Sequence, residues 1–153
     1  MNFKQYLESI NACQEAIDWA GGKTLDEAWQ TCDRPDWMLW LYGRNNPDKV
    51  MCVKIAVFAA RLVLPLWQEK YPDDLRPQQA IGASEKWIEN PSEENMAAAA
   101  RSARSAAEAA EAAEAAAWAA AWGAAADVNK TIADYVRTLI PTINIKGVDN
   151  EHK

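Results

Sequence analysis

"AAAARSARSAAEAAEAAEAAAWAAAWGAAADV", residues 97–128, decides the fold class of this chain. Twenty of its 32 residues are alanine, and only Trp118 and Trp122 are large. Alanine is the best helix former, so the run is helical for intrinsic reasons. At about 100° per residue, Arg101, Arg104, Glu108, Glu111, Glu114, Trp118 and Trp122 fall in one broad stripe. The opposite side, through Ala99, Ser102, Ala106, Ala109, Ala113, Ala117, Ala120 and Ala124, carries nothing larger than serine. Such a face lets another helix approach to about 8 Å. Two readings follow. In the first, this is a close-packed core helix with a solvated charged edge; in the second, the edge and its tryptophans form a recognition strip. Amphipathic periodicity is usually fold information, which favours the first. The two use opposite faces, so both can hold, and whether Trp118 and Trp122 are core or interface stays open. The run has no threonine, which removes an ice-binding surface.

Outward from this run the helical signals continue. Tyr6, Leu7, Ile10, Cys13, Ala16 and Ile17 share a face, which predicts a first helix ended by Gly21-Gly22. Thr24-Leu25-Asp26-Glu27 has the form of a capping box and opens a second helix. Asp33-Arg34-Pro35 turns the chain into a third, Asp36 to about Tyr42, with Gly43 as its stop. Asn46-Pro47 opens a fourth that runs to about Leu64. Its apolar residues cover most of its circumference, so it is expected to be central, and Pro65 is expected to end or kink it. A fifth runs from Arg76-Pro77 to Glu89. Ser92 caps a sixth that contains the alanine run, with Glu93 and Glu94 against the positive end of its dipole. A seventh, from about Asp127 to Ile140, buries Val128, Ile132, Tyr135, Val136 and Leu139. No strand alternation or hairpin turn is visible. The expectation is one compact all-α domain of six to seven helices over residues 1–142, with a flexible tail over 143–153.

The 153 residues are half apolar and a quarter charged, a globular composition. The net charge of −6 argues against nucleic acid or an anionic membrane as a partner and leaves basic proteins open. Cys13, Cys32 and Cys52 are odd in number and form no CxxC pair, which fits reduced thiols. The N-terminus MNFKQYLESI has no basic region followed by an apolar run, so no secretory signal is expected. The apolar stretch 51–67 carries Lys54 and Arg61 and reads as a buried helix rather than a membrane span. A cytoplasmic location follows from these expectations.

The residues for most catalytic chemistry are missing. His152 is the only histidine and lies next to last, which removes Ser-His and Cys-His pairs and most transition-metal sites. Neither GxGxxG nor GxxxxGK[ST] occurs, so no phosphate cradle is signalled. The carboxylate pair Asp33/Asp36 flanks a helix start, where capping is the simpler reading. The Glu108/Glu111/Glu114 series sits beside arginines, where a solvated face is simpler. No enzyme, cofactor or metal is expected.

The most distinctive segment is TLDEAWQTCDRPDWMLWLYGRNNPD, residues 24–48. Trp37, Trp40, Leu41 and Arg44 share a helix face, and Asp33, Arg34 and Asp36 cluster at its entrance. Trp37 and Trp40 are expected as core anchors, joined by Trp19, Trp29, Trp67 and Trp87. The competing reading has Asp33, Arg34, Asp36 and Arg44 ring an aromatic patch that binds a protein. The TLDEAW segment, DWMLWLYGR (36–44), RPQQAI (76–81) with Trp87 after it, and the alanine-rich helix broken by aromatics resemble the bacterial immunity proteins called immunity protein five. The resemblance spans about residues 12–140, with DWMLWL its most specific part. It implies a non-enzymatic inhibitor of a polymorphic toxin, with relatives in phages, and carries over no residue roles. The residue patterns themselves make Asp33, Arg34, Asp36, Arg44, Glu108, Glu111, Glu114, Trp118 and Trp122 the candidate binding residues; the expected partner is a toxin or effector protein, with basic ones open. The alternative is a phage-encoded anti-defence protein that inhibits a host immune effector, with acidic mimicry weakened because Arg101 and Arg104 share the glutamate stripe.

Overall fold

The computed structural model describes the backbone of residues 1–112 and 116–149, and the side chains of 1–106 and 127–149. Among these residues there are eight helices and no strand. They are α1 (Phe3–Ser9), α2 (Gln14–Ala20), α3 (Leu25–Thr31), α4 (Pro35–Gly43), α5 (Lys49–Lys70), α6 (Arg76–Glu89), α7 (Glu93–Ala112) and α8 (Ala116–Leu139). The all-helical expectation holds, with one or two more helices than expected. The chain forms two compact units: Met1–Pro47 with Asn129–Lys153, and Asp48–Val128.

In the first unit, the single helix expected before Gly21 is two. Asn2 opens α1 with a capping box: the Gln5 N–H donates to Oδ1 of Asn2 (2.9 Å), and the Asn2 N–H donates to Oε1 of Gln5 (3.1 Å). The helix then stops because Asn11 takes a left-handed conformation (φ 54°), which asparagine tolerates better than most residues. Cys13 is the N-cap of α2, and Gly21 (φ 44°) ends it. The capping box that starts α3 forms as the sequence predicts. The Glu27 N–H donates to Oγ1 of Thr24 (3.2 Å), and the Thr24 N–H donates to Oε2 of Glu27 (2.9 Å). Pro35 takes the first turn of α4, where its missing N–H costs nothing.

The core of this unit gathers Phe3, Leu7, Ile17, Leu25, Trp29, Met38, Leu41, Ile132 and Val136. Val128, Tyr135 and Leu139, expected in the core, are half-buried. α8 starts at Ala116 rather than near Asp127, and residues 113–115 lie outside the described residues. Two long-range hydrogen bonds hold the end of α8 on α3: Trp29 Nε1 donates to Ile140 O (2.9 Å) and Gln30 Nε2 to Pro141 O (2.8 Å). Arg137, 13% exposed, donates through Nη1 to the carbonyls of Trp29 (3.1 Å) and Cys32 (2.8 Å). It thus satisfies acceptors that the end of α3 leaves without helical partners.

The expectation of a flexible tail from residue 143 fails for residues 143–149. Ile143 and Ile145 are 6% and 3% exposed. The N-terminal ammonium donates to Gly147 O (3.0 Å) and lies 3.2 Å from the Asp149 carboxylate, while the Asp149 N–H donates to Met1 O (3.0 Å). Ile143 and Ile145 are two apart, so an extended segment turns both toward one side. A helix-period reading cannot see that.

In the second unit, Asp48 caps α5 by accepting from the N–H groups of Val50 (2.8 Å) and Met51 (3.3 Å). The helix continues through Pro65 to Lys70 instead of ending there. Nor is it central: Ile55 is its one fully buried residue among those described, and Leu66 is 55% exposed. Its 18-residue mean hydropathy of 1.9 makes it long and apolar enough by composition to cross a membrane. Arg61 nonetheless pairs with Glu85 of α6 (2.8 Å from Nε). α5 packs on α6, and α6 packs on α7. α6 covers the expected range and buries Ile81 and Trp87. Ser92 accepts from the Asn95 N–H (3.2 Å) at the start of α7, as its N-cap role predicts. On α7, Ala99, Ser102 and Ala106 are half-buried while Arg101 and Arg104 are exposed, which agrees with the two faces read from the sequence.

Candidate protein-binding face

α4 is apolar nearly all round, so its sequence does not choose which side is buried. It buries Pro35, Met38 and Leu41. Trp37 and Trp40 are rotated away from that stripe: Trp37 is half-buried and Trp40 is 38% exposed. The expectation that both are core anchors is therefore corrected. Trp29 and Trp87 are buried as expected, whereas Trp19 and Trp67 are half-buried.

Three cations lie over three of these rings. Lys23 Nζ is 4.5 Å from the Trp19 ring centre, the Arg34 guanidinium 4.3 Å from Trp37, and the Arg44 guanidinium 4.4 Å from Trp40. Trp19 and Trp37 contact each other with centres 5.9 Å apart and planes tilted by 60°. That is a favoured geometry for aromatic pairs. Lys23, Trp19, Trp37 and Arg34 thus make a continuous stack from the end of α2 to the start of α4. Lys23 lies past Gly21, which ends α2, so helical i,i+4 spacing gave no signal for its place over Trp19. The Trp19–Trp37 contact had none, because it joins separate helices.

Of the four candidate residues at the α4 entrance, the structure joins two directly. Arg34 clamps Asp36 with both arms (Nε to Oδ1 3.0 Å, Nη2 to Oδ2 2.8 Å) and reaches Glu15 of α2 (3.2 Å). Asp33 turns elsewhere, 3.9 Å from Arg137 Nη2. Arg44 sits at the far end of α4 over Trp40. Glu114 lies outside the described residues, as do the side chains of Glu108, Glu111, Trp118 and Trp122. Glu15, Trp19 and Lys23 belong to the face and were not among the expected residues.

Beneath these rings is a cavity of about 490 Å³, whose walls include Trp19, Trp29, Cys32, Trp37, Trp40 and Leu41. This is within the size range of ligand pockets. Cys13 is exposed at its edge, while burial pushes the Cys32 thiol above the ordinary cysteine value. Among the described residues no group of three or more His, Cys, Asp or Glu side chains is placed to hold a metal ion.

Hydrogen bonds from Arg34 hold the Asp36 carboxyl below the ordinary aspartate value. A depressed carboxylate contributes stability that is present above the unfolded pKa, about 3.9, and is lost as pH falls through the folded value. The Asp36 side chain is 58% exposed, so solvent screening keeps this contribution below about 1 kcal/mol. Asp36→Asn is expected to be slightly less stable than the parent at neutral pH. The gap should close as pH drops below about 4. Urea titrations of both proteins across that window check this, and a gap that persists in full at about pH 2 would contradict it.

Compared with known proteins, the chain matches no family model, no curated protein and no solved structure.

Proposed function

We propose that this chain is a non-enzymatic inhibitor that binds a toxin or other effector protein in the cytoplasm through the tryptophan–arginine face of α2 and α4. The observation that carries this reading is Trp40, 38% exposed at the edge of an apolar cavity with Arg44 stacked on it. Trp and Arg are the residues most enriched among those that dominate binding energy at protein interfaces. An exposed ring already held by a guanidinium loses little side-chain freedom when a partner covers it. The likeness of DWMLWL to immunity protein five supports the same reading, since that element supplies both Trp37 and Trp40. The net charge of −6 would speed encounter with a basic partner and make the on-rate salt-sensitive.

The test is relief of toxicity: the product of a neighbouring toxin gene is expressed with and without this chain. Relief is expected with the parent. Trp40→Ala and Arg44→Ala should each weaken association with the purified toxin by more than about tenfold while leaving the fold intact. Unchanged affinity in both would remove this face from the interface. If a host immune effector is captured instead of a toxin, the anti-defence form of the same reading holds.

A further inference from the structure

Three polar groups of the cavity wall are engaged by the protein itself. Trp29 gives its indole N–H to Ile140 O, the Cys32 thiol donates to Arg34 O (3.6 Å), and the Asp36 carboxylate is taken by Arg34. Most of the rest of the wall is ring and aliphatic surface, including Leu7, Trp19, Trp37, Met38, Trp40 and Leu41, so it favours an apolar occupant. Tilted indoles such as Trp19 and Trp37 add an attraction for a further ring beyond the area it buries. Three cations stack on rings of the wall: Lys23 on Trp19, Arg34 on Trp37 and Arg44 on Trp40. Arg34 is answered by Asp36 and Glu15, but among the described residues neither Lys23 nor Arg44 forms an ion pair.

From this juxtaposition we infer that the cavity seats an aromatic side chain of the bound protein, with a carboxylate beside it on the partner meeting Arg44 or Lys23. The inference rests on the protein-binding reading above and names the partner's contacting chemistry. The negative charge of the whole chain acts at long range on the approach, whereas this positive edge acts on contact. A basic toxin presenting an aromatic residue next to an Asp or Glu satisfies both.

Three small probes test the cavity without any partner: N-acetyltryptophan, its uncharged amide, and acetate. Binding is followed by the indole N–H signals in nitrogen-15 spectra. N-acetyltryptophan and the amide are expected to shift the same indoles, while acetate alone does not. The acid should bind about two- to fivefold tighter than the amide, the worth of one exposed ion pair. Arg44→Ala with Lys23→Ala should remove that preference and leave amide binding in place. To plug the site without disturbing folding, Cys13 is alkylated with a pyrene maleimide on the folded protein in a Cys52→Ser background. The adduct should block both ring-bearing probes and abolish association with the toxin.

Absence of probe binding, equal affinity for acid and amide, or an adduct that binds the probes unimpeded would overturn the inference. An adduct that blocks the probes yet still binds the toxin also overturns it, and leaves the protein-binding reading standing. A chain that binds the probes but neither binds nor neutralises any effector sinks that reading, and the partner-borne occupant with it.

Discussion

Trp29→Ala is expected to destabilise the protein by about 3–5 kcal/mol, the usual cost of emptying a buried aromatic site. Trp29 is 2% exposed and lines the cavity, so its loss enlarges an existing space rather than making one the neighbours can collapse into. The substitution also strips Ile140 O of its indole donor, and with it one of the bonds that tie the end of α8 to α3. Against a total stability of about 5–15 kcal/mol the loss is severe. Trp29→Phe keeps a ring and removes the N–H, so it should cost less, about 1–3 kcal/mol for the orphaned carbonyl. Urea denaturation followed by circular dichroism measures both. A shift under about 1 kcal/mol for the alanine variant would show that the ring does not hold the first unit together.

The second large effect is expected from ending the chain at Thr142. Burial of an isoleucine contributes about 1.5–3 kcal/mol, so removing Ile143 and Ile145 should cost about 3–6 kcal/mol together. The contacts of the N-terminal ammonium with Gly147 and Asp149 go as well, though these are exposed and worth little. Ile143→Ser with Ile145→Ser in the full-length chain separates the two contributions, because it keeps the backbone and the ammonium contacts. Thermal melts of the truncated and doubly substituted chains should both fall clearly below the parent. A truncated chain that melts like the parent would mean these two side chains are not anchored in solution.

Helix identity and many helix boundaries were written locally. Thr24 and Glu27 make the capping box their spacing requires, Ser92 accepts from Asn95, Pro35 sits in a first turn, and α6 covers Arg76–Glu89. Each depends on residues within a few positions of one another, so the sequence suffices. Asn11 shows where local reading falls short. The apolar face runs on past it, yet its left-handed backbone divides the expected first helix. The candidate site was legible as a set of residue types in DRPDWMLWLYGR, but not as an arrangement. Arg34 and Asp36 are two residues apart and pair; Asp33 lies beside them in sequence and approaches Arg137, more than a hundred residues away.

The alanine run, the caps and the prolines determined by themselves that the described residues fold as helices without a strand, because helix propensity and capping are properties of neighbouring residues. Only the tertiary structure decided which sides of α4 and α5 are buried, that the segment after Pro141 is docked, and that Trp19 meets Trp37. On a helix that is apolar all round, periodicity carries no direction. Which ring is core and which is surface is then set by the helices that pack against it.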